Sequence, residues 1–210
     1  MKKIIITVMT LFFIFSCGKN NKDNEDPGIF DVIEGVSDLK DITDEAEKIE
    51  EESDKLAKTT PISNEELKTF LPENLLGFAR TKFSIGNQFV PDMAAAEAEY
   101  ENENQNIILF SILDGAGETG SAMVTFARLS FARDFEEQTE TGFKKSNTIN
   151  GFKAIEEVEK DSYTDGENSK IELLVANRFI VSFDGEGIPL KQLRKAVDEI
   201  DLTGLQQKAK

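Results

Sequence analysis

The sequence predicts an α+β fold: one antiparallel sheet of about six to seven strands, packed by a central and a C-terminal helix and preceded by a charged N-terminal helix. Three observations carry this. Apolar and polar residues alternate with a period of two in seven short segments between residues 77 and 184. Short turn-forming stretches join most of those segments, which favours antiparallel pairing over parallel crossovers. Two stretches of helical period, 119–135 and 190–200, separate and follow the two groups of strands.

The chain opens with Lys2 and Lys3 and an apolar run over residues 4–15, broken only by Thr7 and Thr10. Twelve helical residues reach about 18 Å, well short of a hydrocarbon core of ~30 Å. Residues 1–16 therefore read as a signal peptide rather than a permanent membrane span. Cys17 follows, the single cysteine in a chain without histidine. It has no second cysteine for an internal disulfide, and a catalytic thiol would lack the imidazole that usually activates it. Lipidation of Cys17 is the remaining reading. The stretch Ile14-Phe15-Ser16-Cys17 resembles the lipobox of bacterial lipoproteins, with Phe15 where a small residue is usual. That resemblance implies a diacylglycerol group on the thiol and further acylation, with palmitate as the label to follow. More than one chain is needed because a single acyl chain binds marginally.

Residues 17–28 carry the lipidated cysteine and a polar, Asn-rich linker closed by Pro27-Gly28. Residues 29–58 read as a charged helix, since Ile29, Val32, Val36, Leu39, Ile42, Ala46, Ile49 and Leu56 recur at steps of three and four or their multiples. The stripe thins after Ala46, which suits a helix laid on its own domain or a charged stalk better than a coiled coil.

An antiparallel α+β domain spans residues 60–205. Ser63 and Glu66 form a capping box opening a short helix that Pro72 ends. Strands are expected over 77–86, 94–101 and 107–113. A core helix over 119–135 follows, whose Met123, Phe126, Ala127, Leu129, Ser130 and Phe131 are expected to cover one sheet face. Strands return over 138–146, 151–159, 170–176 and 178–184, with Asn150-Gly151 the strongest hairpin signal. Gly185 and Gly187 break the sheet, Pro189 starts a helix, and Leu190, Leu193, Ala196, Val197 and Ile200 form the inner stripe of that closing element.

The balance of 24 Lys plus Arg against 40 Asp plus Glu gives −16, and loss of Lys2 and Lys3 with the leader makes it more negative still. Such a charge excludes nucleic acid as a partner and opposes a second contact with anionic lipid. The absence of histidine removes the commonest metal ligand and the usual general base near neutral pH. Gly115, Gly117 and Gly120 form a G-x-G-x-x-G between a strand and a helix, but Asp114 and Glu118 would stand where phosphates lie. The stretch reads as a strand-to-helix turn with Thr119 or Ser121 capping the helix. Residues 161–167 hint at a calcium loop, but Tyr163 occupies a ligand position, and a hairpin turn is the better reading. Asp134, Glu136, Glu137 and Glu140 form the densest acidic patch of the domain and read as a solvated surface. No catalytic, metal or cofactor residue is assigned, which leaves Cys17 as the single site.

The stretches LLGFARTKFSIG, DGAGETGSAMV, ETGFKKSNTINGFKA and NRFIVSFDGEG lie in a region, residues 62–203, that resembles uncharacterised envelope lipoproteins of the Bacteroidota type. The order of strands, core helix, hairpins and final helix is similar to a PsbP-like sandwich in topology alone, which says nothing of function. The resemblance implies an exported, lipid-anchored protein at the outer membrane or cell surface, with a periplasm-facing orientation as the alternative. Membrane lipid through acylated Cys17 is the first expected partner, and an unknown envelope protein the second. The leading expectation is a non-enzymatic binding or assembly module. A small-ligand carrier with an apolar groove between sheet and helix is the alternative, and an enzyme comes third.

Overall fold

Residues 39–86, 93–160 and 166–210 are described in the computed structural model of the chain, with side chains from Lys48 onward. The chain divides into two compact units, Met1–Asp41 and Ile42–Lys210; the sheet belongs to the second. The signal peptide, Cys17, the linker and residues 29–38 of the expected charged helix all lie outside the described residues.

Alternation is plainest in β4 (Ile107–Asp114), where Ile108, Phe110 and Ile112 are at most 1% exposed while the residues between them stay half-open. That pattern is what a strand shows when one face packs on a core and the other is left partly uncovered. Before it come β1 (Asn74–Leu75), β2 (Phe78–Ile85) and β3 (Ala95–Glu101). After it come β5 (Glu136–Gln138), β6 (Gly142–Ile149), β7 (Phe152–Lys160), β8 (Glu167–Val175) and β9 (Phe179–Glu186). All pair antiparallel in one nine-stranded sheet of order β1-β2-β3-β4-β9-β8-β7-β6-β5. Two meanders thus meet at the β4–β9 seam, which holds eight residue pairs from Ile107↔Glu186 to Asp114↔Phe179.

The seven expected strands are all present, and nine rather than six to seven are found because β1 and β5 close the two edges. Each of those is two or three residues long, too short to carry a period. The Asn150-Gly151 hairpin forms as expected, with both residues at positive φ between Ile149 and Phe152.

Among the described residues five helices accompany the sheet: α1 (Leu39–Ala57), α2 (Asn64–Lys68), α3 (Glu118–Phe131), α4 (Leu190–Asp198) and α5 (Leu202–Gln207). The closing helix expected over 190–200 is α4, and a further short helix, α5, follows it, capped by Asp201, which accepts from Gly204 N–H. The Ser63–Glu66 capping box opens α2. α2, α4 and α5 cover one face of the sheet. There Phe110 and Phe183 stack at 4.7 Å and Tyr100, Ile171, Leu173, Leu193 and Leu205 are wholly buried. α1 and α3 cover part of the opposite face, where Leu56, Val124, Phe131, Ile155 and Leu174 form a second, smaller core.

Candidate docking surface

α3 leaves the end of β4 through Gly115 and comes so close to the sheet that only glycine fits beneath it. A Cβ on Gly115 would lie 2.2 Å from Val124 Cγ2 and 2.7 Å from Arg178 O, and one on Gly120 would lie 2.7 Å from Asp114 O. Gly117, the N-cap, adopts φ +84°. The three glycines of the G-x-G-x-x-G thus serve close packing and a turn. The expected side-chain cap from Thr119 or Ser121 is absent: Gly117 makes no side-chain cap, and Ser121 Oγ donates instead to Glu118 O.

The expected inner stripe of α3 holds at Phe131, which is buried, and at Ala127, which packs on the second core, but not at Met123, Phe126, Leu129 or Ser130. Gly120, Ser121, Val124 and Phe131 face the sheet. Met123, Phe126 and Leu129 face away and are 45%, 75% and 51% exposed. At about 100° per residue, Phe126 stands roughly 160° around the helix from Val124. The apolar residues of this helix occupy too wide an arc to be buried by a sheet on one side.

α1 takes one flank of α3. Leu56 O accepts from Gly117 N–H at 3.0 Å, and Thr125 Oγ1 donates to Ser53 Oγ at 2.9 Å. Arg128 Nη1 lies 3.1 Å from Glu52 Oε2, an ion pair off the angle of a directed hydrogen bond. Arg128 also donates through Nε to Asn177 O at 3.1 Å, so it ties α3 to both α1 and the β8–β9 turn. Burial pushes its guanidinium pKa down, and Glu52 partly restores it. On its exposed side α1 carries Glu50, Glu51 and Asp54 together with Lys48 and Lys55. Thr125 and Met123 stand on either side of Val124, so with Thr125 against α1, Met123 leans over the other flank.

That other flank is sheet. α3 lies over the rung containing Leu113, Ile180 and Leu174, of which Ile180 and Leu174 pack against its buried side. The next rung runs Glu97–Ser111–Ser182–Glu172–Ile155, and the one beyond it Glu99–Leu109–Asp184–Lys170–Glu157. No described element covers the beyond-lying half of this face. Its lysines are matched locally. Lys170 lies 3.3 Å from Glu172 and 3.5 Å from Asp184, and Lys144 lies 2.9 Å from Glu157. Lys82 stands opposite Glu99 in register. Burial presses the Lys170 pKa down, and the two carboxylates more than reverse it, leaving it raised. Every residue that β3 places on this face within the sheet is glutamate apart from Ala95: Glu97, Glu99 and Glu101.

Two ion pairs with wholly buried carboxylates lie on the opposite face, and the sequence flagged neither. Asp114 accepts from Arg178 Nε at 2.7 Å and Nη2 at 2.8 Å, from Ile62 N–H at 2.9 Å and from Ala116 N–H at 2.9 Å. Arg178 also donates to Thr60 O and Lys208 O. The pair therefore binds the segment before α2, the start of α3, the β8–β9 turn and the C-terminus into one knot. Glu156 is wholly buried in β7 and accepts from Arg194 on α4 at 2.6 and 2.7 Å and from Asn147 at 2.8 Å. Burial raises its pKa, but these donors outweigh it and hold the carboxyl below the usual range.

Other expected features fall as follows. Residues 161–165 of the calcium-like loop lie outside the described residues, and Glu167 Oε1 accepts from Leu190 N–H at 2.7 Å. Asp134, Glu136, Glu137 and Glu140 are apart from the docking helix face, with Glu136 and Glu137 exposed on β5. Among the described residues no group of three or more acidic side chains is placed to hold a metal ion, and no helix is long and apolar enough to cross a membrane. Phe110, Phe179 and Phe183, which an apolar ligand groove could have used, are wholly buried. A cleft of about 360 Å³ between the start of α5 and the end of α2 has a mixed lining that includes Thr69, Phe70, Glu199 and Asp201.

The outward apolar face of α3 was not flagged in the sequence, although one signal existed. Val124, Met123, Phe126, Leu129 and Phe131 spread over more of the helix circumference than one packed side can take. No family model matches the chain, and neither a curated protein nor a solved structure does.

Proposed function

We propose that this chain is a lipid-anchored, non-enzymatic binding module of the bacterial cell envelope that docks a protein partner on the outer face of α3. Acylated Cys17 holds it to the outer membrane or cell surface. The linker over 17–28 and the charged helix read over 29–58 space the domain from the lipid. The observation that carries the reading is the exposure of Met123, Phe126 and Leu129 on one helix face. Scattered exposed apolar residues need no explanation, but three large ones at steps of three on a rigid helix form a patch, and such patches mark interaction sites.

The rigidity of the presenting helix supports the same reading. α3 is fixed below by Val124 on Gly115, at its side by Ser53 and Glu52, and at the β8–β9 turn by Arg128. A preorganised surface loses less entropy on binding than a mobile one.

The test is photo-crosslinking in intact cells with a photoreactive residue at Phe126 and, as control, at exposed Lys191 on α4. The expected result is one discrete adduct from position 126, lost when Leu129→Ser is added, and none from 191. Equal patterns from both positions, or none from 126, refute the reading. Palmitate labelling of wild type and Cys17→Ser, run alongside, reports on the anchor separately.

A further inference from the structure

We infer that the docking surface is built for a cationic amphipathic segment, whose apolar side rests on Met123 and Phe126 and whose Lys or Arg residues lie over the carboxylates of the open sheet face. This rests on the reading of α3 as a docking surface and adds the partner's chemistry.

The apolar patch alone is too small for a stable complex. Three side chains exposed to these fractions offer on the order of 300 Å², taking large side chains at about 150–250 Å² each. A standard interface needs about 800 Å² per partner. A partner must therefore spread from α3 onto its neighbours, of which the sheet is acidic and α1 is mixed. α1 shows Glu50, Glu51 and Asp54 beside Lys48 and Lys55. On the sheet side, Glu97 and Glu172 stand in the rung beside the one α3 covers. Successive same-face residues on a strand are about 6.8 Å apart, so a helix about 10–12 Å across lying in the angle between α3 and the sheet meets Met123 and these carboxylates together.

Charge decides among occupants. Lys144 and Lys170 are already paired within this face, Lys82 has Glu99 opposite, and Lys153, in the rung under α3, is exposed and has no ion pair among the described residues. Glu97, Glu101, Glu159 and Glu186 have no cationic partner among the described residues. A second copy would bring the same acidic faces together across a two-fold axis, and an anionic bilayer would be repelled in the same way. A cationic segment meets both requirements.

The experiment uses the full chain in nanodiscs of zwitterionic lipid, with empty discs subtracted. Three labelled peptides of about five helical turns are titrated by anisotropy: an amphipathic Leu/Lys helix, its Leu/Glu counterpart, and a Ser/Lys peptide of the same charge without an apolar face. The Leu/Lys peptide is expected to bind with Kd of about 1–10 µM, weakening as salt screens the carboxylates. Phe126→Ser should weaken it about tenfold. Glu97→Gln with Glu101→Gln, two carboxylates of this face without a cationic partner among the described residues, should weaken it about fivefold and flatten its salt dependence. The remote pair Glu65→Gln with Glu73→Gln, which removes the same charge elsewhere, should leave it within about twofold. All the substituted side chains are exposed or half-exposed, and circular dichroism verifies that each variant is folded.

Equal binding of the Leu/Glu peptide overturns the charge inference and leaves the docking reading standing. Equal binding of the Ser/Lys peptide, or equal losses from both carboxylate pairs, reduces the effect to general attraction by an acidic protein and overturns the inference. Retention of the chain on anionic vesicles, lost with Phe126→Ser, assigns the face to lipid and overturns it too. If no peptide binds, the inference fails, and the crosslink at position 126 decides separately whether the docking reading fails with it.

Discussion

Replacing Asp114 with alanine should cost this protein a large share of its stability, and the structure says why. The carboxylate is fully buried and accepts four hydrogen bonds, two from Arg178 and one each from the Ile62 and Ala116 amides. Alanine leaves the Arg178 guanidinium, itself 5% exposed, with only the Thr60 and Lys208 carbonyls at 3.3 and 3.2 Å. Breaking one side of a buried pair costs about 3–5 kcal/mol, and each amide left dry adds about 1–3 kcal/mol before water or relaxation relieves it. The expected loss is on the order of 5 kcal/mol, against a net stability of about 5–15 kcal/mol for a typical domain. Urea unfolding followed by far-UV circular dichroism is the assay, since the chain has no tryptophan. Hydrogen exchange should quicken first at residues 60–62 and 208–210, which the knot ties down. The companion variant Asp114→Leu with Arg178→Met removes both charges and should recover part of the loss, because no ion is then left buried alone. A loss below about 1.5 kcal/mol for Asp114→Ala, or a double variant no better than the sum of the two single ones, refutes this account of the knot.

Glu156 has a folded-state pKa below the ordinary value of 4.5. Its contribution is therefore present above pH 4.5 and is lost as pH falls through the lowered native value. Glu156→Gln should melt earlier than wild type at neutral pH, and the gap should close in acid; a gap constant with pH refutes the assignment. Gly115→Ala should destabilise by about 1–3 kcal/mol through the clash with Val124 and Arg178 O. Adding Val124→Ala should give less than the sum of the two single losses in thermal melts, since it relieves the closest contact, and strict additivity counts against the packing argument.

The sheet was legible because its signals are local. β4 alternates so regularly that its inward residues can be named from the sequence, and Asn150-Gly151 declares its own turn through two residues that tolerate positive φ. β1 and β5 were not legible, since two or three residues cannot display a period. α5 lies beyond the helix expected over 190–200, and its six residues are too few to display a helical period.

Taken alone, the sequence determined the fold class and the seven long strands, and it displays a strong negative charge, no histidine and a lone cysteine after an apolar run. Those are properties of composition and of neighbours along the chain. Only the tertiary structure decided which side of α3 is covered, because that depends on which strands lie beneath it and on α1 standing at one flank. It also brought Asp114 to Arg178 and Glu156 to Arg194, pairs 64 and 38 residues apart. No periodicity spans such distances. In a chain this rich in Glu, Asp and Lys, only the fold selects which arginine meets each buried carboxylate.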